Sequence, residues 1–175
     1  MKPVEILDSF KQALGDALLD SHTVERSVGV RNPQAVYDVW TTVPPERLHD
    51  AVAHLCREFN PHISVISGDD LGDELALNYH FTVGWSERAG EITFTIRTVL
   101  KKSDLRLPTI TDLFPGALTS EREKQEFYGI GFDGIPDGRN LFLPEDATIH
   151  PWRKDLEEET AGEVKRLVKW ETRNE

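Results

Sequence analysis

The sequence predicts an α+β fold: helices packed on a mostly antiparallel or mixed sheet, followed by an extended irregular C-terminal segment. Three observations lead there. Two stretches carry apolar residues at spacings of three and four, others alternate apolar and polar residues, and from Ser103 onward neither period persists. The expected organisation is an α+β domain over 1–102, a docking segment over 103–155 and a charged, helical tail over 156–175.

The first helix is marked by Leu7, Phe10, Leu14, Ala17 and Leu18, a stripe with charged residues on the other side. Thr23 to Thr42 is rich in β-branched and aromatic residues and is broken by the turn signal RNPQ, which predicts two short strands. Pro44-Pro45-Glu46 opens a second helix with Leu48, Ala51, Val52, Leu55, Cys56 and Phe59 on one face, and Asn60-Pro61 ends it. Cys56 on that face reads as a small hydrophobe, because no basic neighbour in sequence would depress its pKa. His49 and His54, five apart, fall on different faces, unlike helical metal ligands at i, i+4.

The clearest strands follow ISVISGDDLGD. Leu75, Leu77, Tyr79, Phe81, Val83 and Trp85 alternate with smaller or polar residues, and Ile92, Phe94, Ile96 and Thr98 repeat the pattern after SERAG. This is an antiparallel hairpin with one apolar face, and His80 on its polar face reads as a solvated strand residue. From Ser103 to Asp155 the chain is rich in Gly, Pro and large apolar residues without period, among them Phe127, Phe142 and Trp152. Such a segment is a candidate for packing on another protein, its alternative being a cap over the chain's own sheet.

With 175 residues the chain suits one folding unit. A formal net charge of -11 argues against phosphate backbones and anionic lipid surfaces, so nucleic acid is not an expected partner. No apolar run approaches the roughly 20 residues of a bilayer span, and the acidic start does not read as a signal peptide, so the expectation is a soluble, cytosolic chain. The single cysteine excludes an internal disulfide and cannot alone hold an iron–sulfur cluster. Few Cys and Met beside abundant Glu, Lys and Arg suit a thermophilic source.

Gly129-Ile-Gly131-Phe-Asp-Gly134 spells the G-x-G-x-x-G of a dinucleotide turn, which needs a strand entering and a helix leaving. Both neighbours read differently here. Ser120 to Glu123 spells a capping box, making EREKQEFY a short helix with Gly129 as its C-terminal glycine, and Asp133-Gly134 and Ile135-Pro136-Asp137-Gly138 are turn signals. No cofactor site is expected at this motif.

Glu121-Arg122-Glu123, Glu126 with Phe127-Tyr128-Gly129-Ile130, then Phe132, Gly134, Pro136, Arg139, Pro144-Glu145-Asp146, His150-Pro151 and, after Trp152, Arg153-Lys154-Asp155 form a further pattern. With ITDLFPGA before it, this resembles the C-terminal signature of the 30 kDa subunit family of respiratory complex I. That family includes equivalent small subunits of membrane-bound nickel–iron hydrogenases and related energy-converting complexes. Ile135 stands where the family usually has a histidine, Thr119 where an aromatic is common, and Glu126 where Asp is usual. These departures, with the short chain, point to the hydrogenase-like or archaeal branch.

The resemblance implies a non-catalytic structural subunit in the peripheral arm of a membrane-bound, ion-translocating redox complex, passing electrons from ferredoxin to protons. It implies no cofactor in this chain; iron–sulfur clusters, and a nickel–iron site in the hydrogenase branch, belong to partners. The partners are a large subunit, an iron–sulfur small subunit and, indirectly, integral-membrane subunits, at the cytoplasmic face of the membrane. An alternative is the equivalent subunit of a quinone-reducing or sulfur-reducing complex.

Subunit contact is the expected role of Glu121, Arg122, Glu123, Glu126, Phe127, Tyr128, Phe132, Arg139, Pro144, Glu145, Asp146, His150, Pro151, Trp152, Arg153, Lys154 and Asp155. Arg122 and Arg139 offer planar forks for carboxylates, and Arg153-Lys154-Asp155 carries both charge signs, as fixing register requires. The three glutamates read as helix N-terminal charge and salt bridges, His150 as a hydrogen-bonded structural residue, and Pro144 and Pro151 as stiffeners. The rival of another class is a free-standing small enzyme using these carboxylates with His150 around a closed pocket.

Overall fold

The computed structural model describes residues 2–85 and 90–155, so the expected helical tail and most of the SERAG turn lie outside the described residues. The element order is α1 (Pro3–Leu14), β1 (Asp20–Val28), β2 (Gln34–Thr42), α2 (Leu48–Phe59), β3 (His62–Asp70), β4 (Glu74–Val83), β5 (Ile92–Lys101), β6 (Arg106–Pro108), α3 (Leu118–Tyr128) and β7 (Gly131–Asp133). Strands β1 to β5 form one sheet in the order β1-β2-β5-β4-β3, and β6 pairs with β7 in a second. The β2–β5 pair is parallel and every other pair in the large sheet is antiparallel, the mixed α+β arrangement that the sequence predicts.

Alternation in β4 and β5 puts Leu75, Leu77, Tyr79, Phe81 and Val83 on one face beside Ile92, Phe94, Ile96 and Leu100, all buried. Helices α1 and α2 belong to the same core through Ile6, Phe10, Leu14, Leu48, Val52 and Leu55, and the Phe10 and Phe94 rings lie 4.7 Å apart. Each such large apolar side chain contributes about 1.5–3 kcal/mol on burial. The first helix is shorter than its stripe suggests: it ends at Leu14, Gly15 takes φ 52°, and Ala17 and Leu18 reach the core from a 3-10 turn and beyond it. Asn60, with φ 43°, closes α2 in the left-handed conformation, where Asn is tolerated better than most residues.

One strand is added and two local expectations are corrected. Residues 62–70 form β3, which the sequence conceals because this edge strand slips register between Ile63 and Val65 and its alternation breaks there. Ser120 lies inside α3, whose N-cap is Ala117 with no side-chain cap bond, so the S-x-x-E box does not form. His80 is not a solvated strand residue: it is half-buried, with Nδ1 2.9 Å from the Thr95 hydroxyl and Nε2 2.9 Å from the Ser67 hydroxyl. Burial holds its pKa below the ordinary value, against the opposing pull of Asp69.

The boundary at residue 102 also dissolves. Leu107, Ile110, Ala117, Tyr128, Ile130 and Phe132 join the same core as the helices and sheet, and the Phe114 ring lies 5.5 Å from that of Phe81. Residues 105–132 thus complete the α+β domain, and the irregular stretch proper follows β7. Cys56 is half-buried on α2 and burial raises its thiol pKa, in keeping with a small hydrophobe.

Candidate functional site

Helix α3 organises the irregular stretch. Arg122, Gln125 and Glu126, spaced i, i+3, i+4, share one side of the helix and bind the backbone of residues 138–143. Arg122 Nε donates to the Arg139 carbonyl at 3.0 Å and its Nη2 to the Asn140 carbonyl at 3.1 Å. Gln125 Nε2 donates to the Gly138 carbonyl at 2.6 Å. The Glu126 carboxylate accepts the Leu141 amide at 2.8 Å, the Phe142 amide at 3.1 Å and the Leu143 amide. Three successive N–H groups converging on one buried carboxylate are charge-assisted bonds that fix the loop's conformation.

The loop's entry is held by Asp137, which accepts Arg139 Nη2 at 2.7 Å and lies 3.4 Å from Arg122 Nη1. The Arg139 bonds, aided by Arg122, hold its carboxyl well below the usual carboxylate range. Beyond the helix, His150 Nδ1 donates to the Glu126 carbonyl at 2.8 Å and the Trp152 amide to the Phe127 carbonyl at 3.1 Å, capping the α3 C-terminus. Gly129 is required twice over: it takes φ 76°, and a Cβ there would lie 2.6 Å from the His150 ring.

These bonds present an aromatic cluster. The Phe127 and Trp152 ring centroids are 4.5 Å apart, Phe142 stacks on Phe127 at 5.7 Å, and Lys124 Nζ sits 4.8 Å from the Trp152 ring centroid, at cation–π range. Lys124 is buried and pairs with Glu123, while Phe142 is 66% exposed and Trp152 43% exposed. The chain thus holds two large aromatic side chains in water on a fixed backbone, a costly arrangement unless another surface covers them.

The far end of the segment is anchored by Asp70 on β3. Its carboxylate accepts Lys102 Nζ at 2.9 Å, the Lys154 amide at 2.7 Å and the Gly72 amide at 2.9 Å. Burial would raise the Asp70 pKa, but those bonds outweigh it and hold the carboxyl below its ordinary value. Asp155 accepts Arg153 Nη2 at 2.6 Å and lies 3.3 Å from Lys102 Nζ, and the Arg153 bond takes it well below the usual range against the effect of burial.

Four residues expected at the surface face inward. Glu121 is fully buried, accepting the Ile110 amide at 2.9 Å and the Thr109 hydroxyl, and burial raises its pKa. Glu126 is saturated by the loop amides, Phe132 lies in the core beside Leu107, and Tyr128 donates its hydroxyl to the Gly68 carbonyl at 2.8 Å. These four side chains are spent inside the chain's own fold and shape the loop and core rather than present a surface. Glu123, Phe127, Arg139, Pro144, Glu145, Asp146, Pro151, Trp152, Arg153, Lys154 and Asp155 all keep some exposure. Sequence reasoning missed Gln125, Phe142, Asp70 and Lys102 as site residues; only Gln125 carried a signal, its place on the Arg122–Glu126 face.

Of the carboxylates between Glu121 and Asp155, the cleft found among the described residues takes in Asp155, and His150 does not line it. That cleft is lined by Leu71, Gly72, Asp73, Glu74, Lys101, Lys102, Ser103 and Asp155 and opens to solvent. Gly129, Gly131 and Gly134 run from helix end to strand β7 to a turn, so no helix N-terminus follows the motif to receive a phosphate.

Residues 41–161 match the family model of the respiratory-chain NADH dehydrogenase 30 Kd subunit. The chain belongs to this family. Within it, the chain is 35% identical over 127 residues to NADH-quinone oxidoreductase subunit 5 of Thermus thermophilus, a match covering 67% of this chain and 61% of that relative. It is 36% identical over 121 residues to the membrane-bound hydrogenase subunit beta of Pyrococcus furiosus, covering 67% of this chain and 69% of that protein. A chain from the membrane-bound sulfane sulfur reductase, an archaeal respiratory membrane complex, shares the fold with a TM-score of 0.70 and 22% identity, over 100% of this chain and 96% of that one. The family match over residues 41–161 takes in α3 and the segment it clamps. Among the described residues no helix is long and apolar enough to cross a membrane.

Proposed function

We propose that this chain is a non-catalytic structural subunit in the peripheral arm of a membrane-bound, ion-translocating redox complex, of the nickel–iron hydrogenase type that passes electrons from ferredoxin to protons. The observation that carries the reading is the Phe127–Phe142–Trp152 cluster, held rigid by α3 and left exposed. A rigid aromatic patch loses little conformational entropy on docking, which suits a permanent brace. The likeness to the Pyrococcus hydrogenase subunit supports this branch.

In this reading Phe142 and Trp152 seat on a large subunit, and Arg139, Glu145, Asp146, Lys154 and Asp155 set register around them. An iron–sulfur small subunit completes the contact, redox centres stay in those partners, and the chain sits on the cytoplasmic side. The Thermus relative favours a second reading, the equivalent subunit of a quinone-reducing complex. Native purification from membranes of the source organism, with this chain as bait, tests both. Large, iron–sulfur and integral-membrane subunits should co-purify, with nickel marking the hydrogenase branch and its absence the second reading. Recovery of the chain alone would overturn both.

A further inference from the structure

The two edges of the large sheet are treated differently. Strand β3 breaks register between Ile63 and Val65, Tyr128 of α3 bonds its Gly68 carbonyl, and the Lys154 amide reaches its Asp70 side chain. Bulges and covering elements are how sheets blunt an edge. Among the described residues strand β1 has neither a bulge nor a covering element. It pairs with β2 through nine residues in unbroken register, Asp20 with Thr42 to Val28 with Gln34, contains no proline, and is exposed along almost its whole length. Beyond the last β2–β5 pair, Tyr37 with Ile92, the β1–β2 ribbon continues without a described third strand. It exposes Val24, Val28 and the wholly exposed Val30.

We propose that the free edge of β1 takes an extended strand of a partner subunit, joined main chain to main chain. The inference rests on the reading of the chain as a subunit of a larger assembly. A row of backbone donors and acceptors about 30 Å long, left without a partner among the described residues, is matched only by another extended backbone. The side chains add selectivity: aliphatic residues suit the positions beside Val24 and Val28, and a basic residue suits the one beside Glu25 on the opposite face. A second copy of this chain fits poorly. Antiparallel self-pairing about Val24 sets Arg26 beside His22 and Glu25 beside Thr23, pairing about Thr23 brings Asp20 beside Arg26 at both ends, and against either register each copy carries a net charge of -11.

The test is hydrogen–deuterium exchange on peptides covering residues 20–28, in the isolated chain at increasing concentration and in the purified native assembly. The β1 amides not bonded to β2 should exchange at least about tenfold slower in the assembly than in the isolated chain. A Val24→Lys/Val28→Lys double variant, changing two exposed side chains, should keep the isolated chain's melting temperature and enter the assembly several-fold less well. An assembly in which β1 gains no protection overturns the inference while leaving the subunit reading intact. Protection that appears in the isolated chain with rising concentration overturns it in favour of a second copy. A chain that enters no assembly overturns both.

Discussion

Tyr128 and Gly68 fit each other so closely that the α3–β3 contact admits no larger residue: the tyrosine hydroxyl donates to the Gly68 carbonyl at 2.8 Å, and a Cβ on Gly68 would lie 2.6 Å from Tyr128 Cε2. Gly68→Ala should therefore destabilise the chain by about 1–3 kcal/mol through overpacking, since the new methyl would meet the Tyr128 ring and also Leu77 Cδ2 at 3.3 Å. Tyr128→Phe, which keeps the ring and loses one hydrogen bond, should cost about 0.5–1.5 kcal/mol. Urea denaturation of both variants checks the order; a milder Gly68→Ala would mean that α3 is not seated on β3.

Glu126→Gln replaces a carboxylate facing three amides by a group that presents a donor to at least one of them. The loss should be about 1.5–3 kcal/mol, and the amides of Leu141, Phe142 and Leu143 should exchange faster while those of β4 and β5 keep their relative protection. Exchange resolved by NMR distinguishes this local release from global weakening.

Two buried carboxylates should leave opposite marks on stability against pH. Burial raises the Glu121 pKa from its ordinary 4.5, so its favourable contribution is complete below 4.5 and falls away as pH climbs through the folded value. The Asp70 pKa is lowered from 3.8, so its contribution is present above 3.8 and is lost as pH falls through the folded value. Glu121→Gln should flatten the upper slope and Asp70→Asn the acid one, as read from unfolding free energies across the acid range. Wild-type slopes persisting in the variants would sink the assignment.

Phe142→Ala should barely change the stability of the isolated chain, because the side chain is mostly in water, yet it should sharply reduce recovery of partner subunits. Trp152→Ala should do the same and cost a further 0.5–2 kcal/mol or so from the lost Lys124 contact. Co-purification yield and melting temperature, measured together, separate the two effects. Full recovery of partners with both variants would show that the aromatic cluster is not the docking surface.

The second helix and the β4–β5 hairpin were legible because their determinants are local: Pro44-Pro45, a clean stripe from Leu48 to Phe59, and alternation from Leu75 to Val83. The family signature likewise marked the segment that α3 organises. What it did not disclose was direction. Glu121 and Glu126 look like surface charge on a short acidic helix, and only the chain returning 11 residues before one and some 15 to 17 after the other turns them inward. His80 was misjudged for a related reason: alternation assigns a face, and the Ser67 and Thr95 hydroxyls that occupy its ring come from neighbouring strands. Such long-range satisfaction of polar groups leaves no periodic trace.

The strand order has a consequence for how the molecule comes into being. Strand β5, the last of the large sheet to leave the ribosome, is its middle member, and Thr41 meets Ile96 across 55 intervening steps of chain. Until it emerges, β1–β2 and β3–β4 are two hairpins not yet joined in one sheet, of a kind only marginally stable alone. The nascent chain must present residue 101 before β2 and β4 can share their central neighbour, so the sheet depends on contacts far apart in sequence, the kind that slow folding.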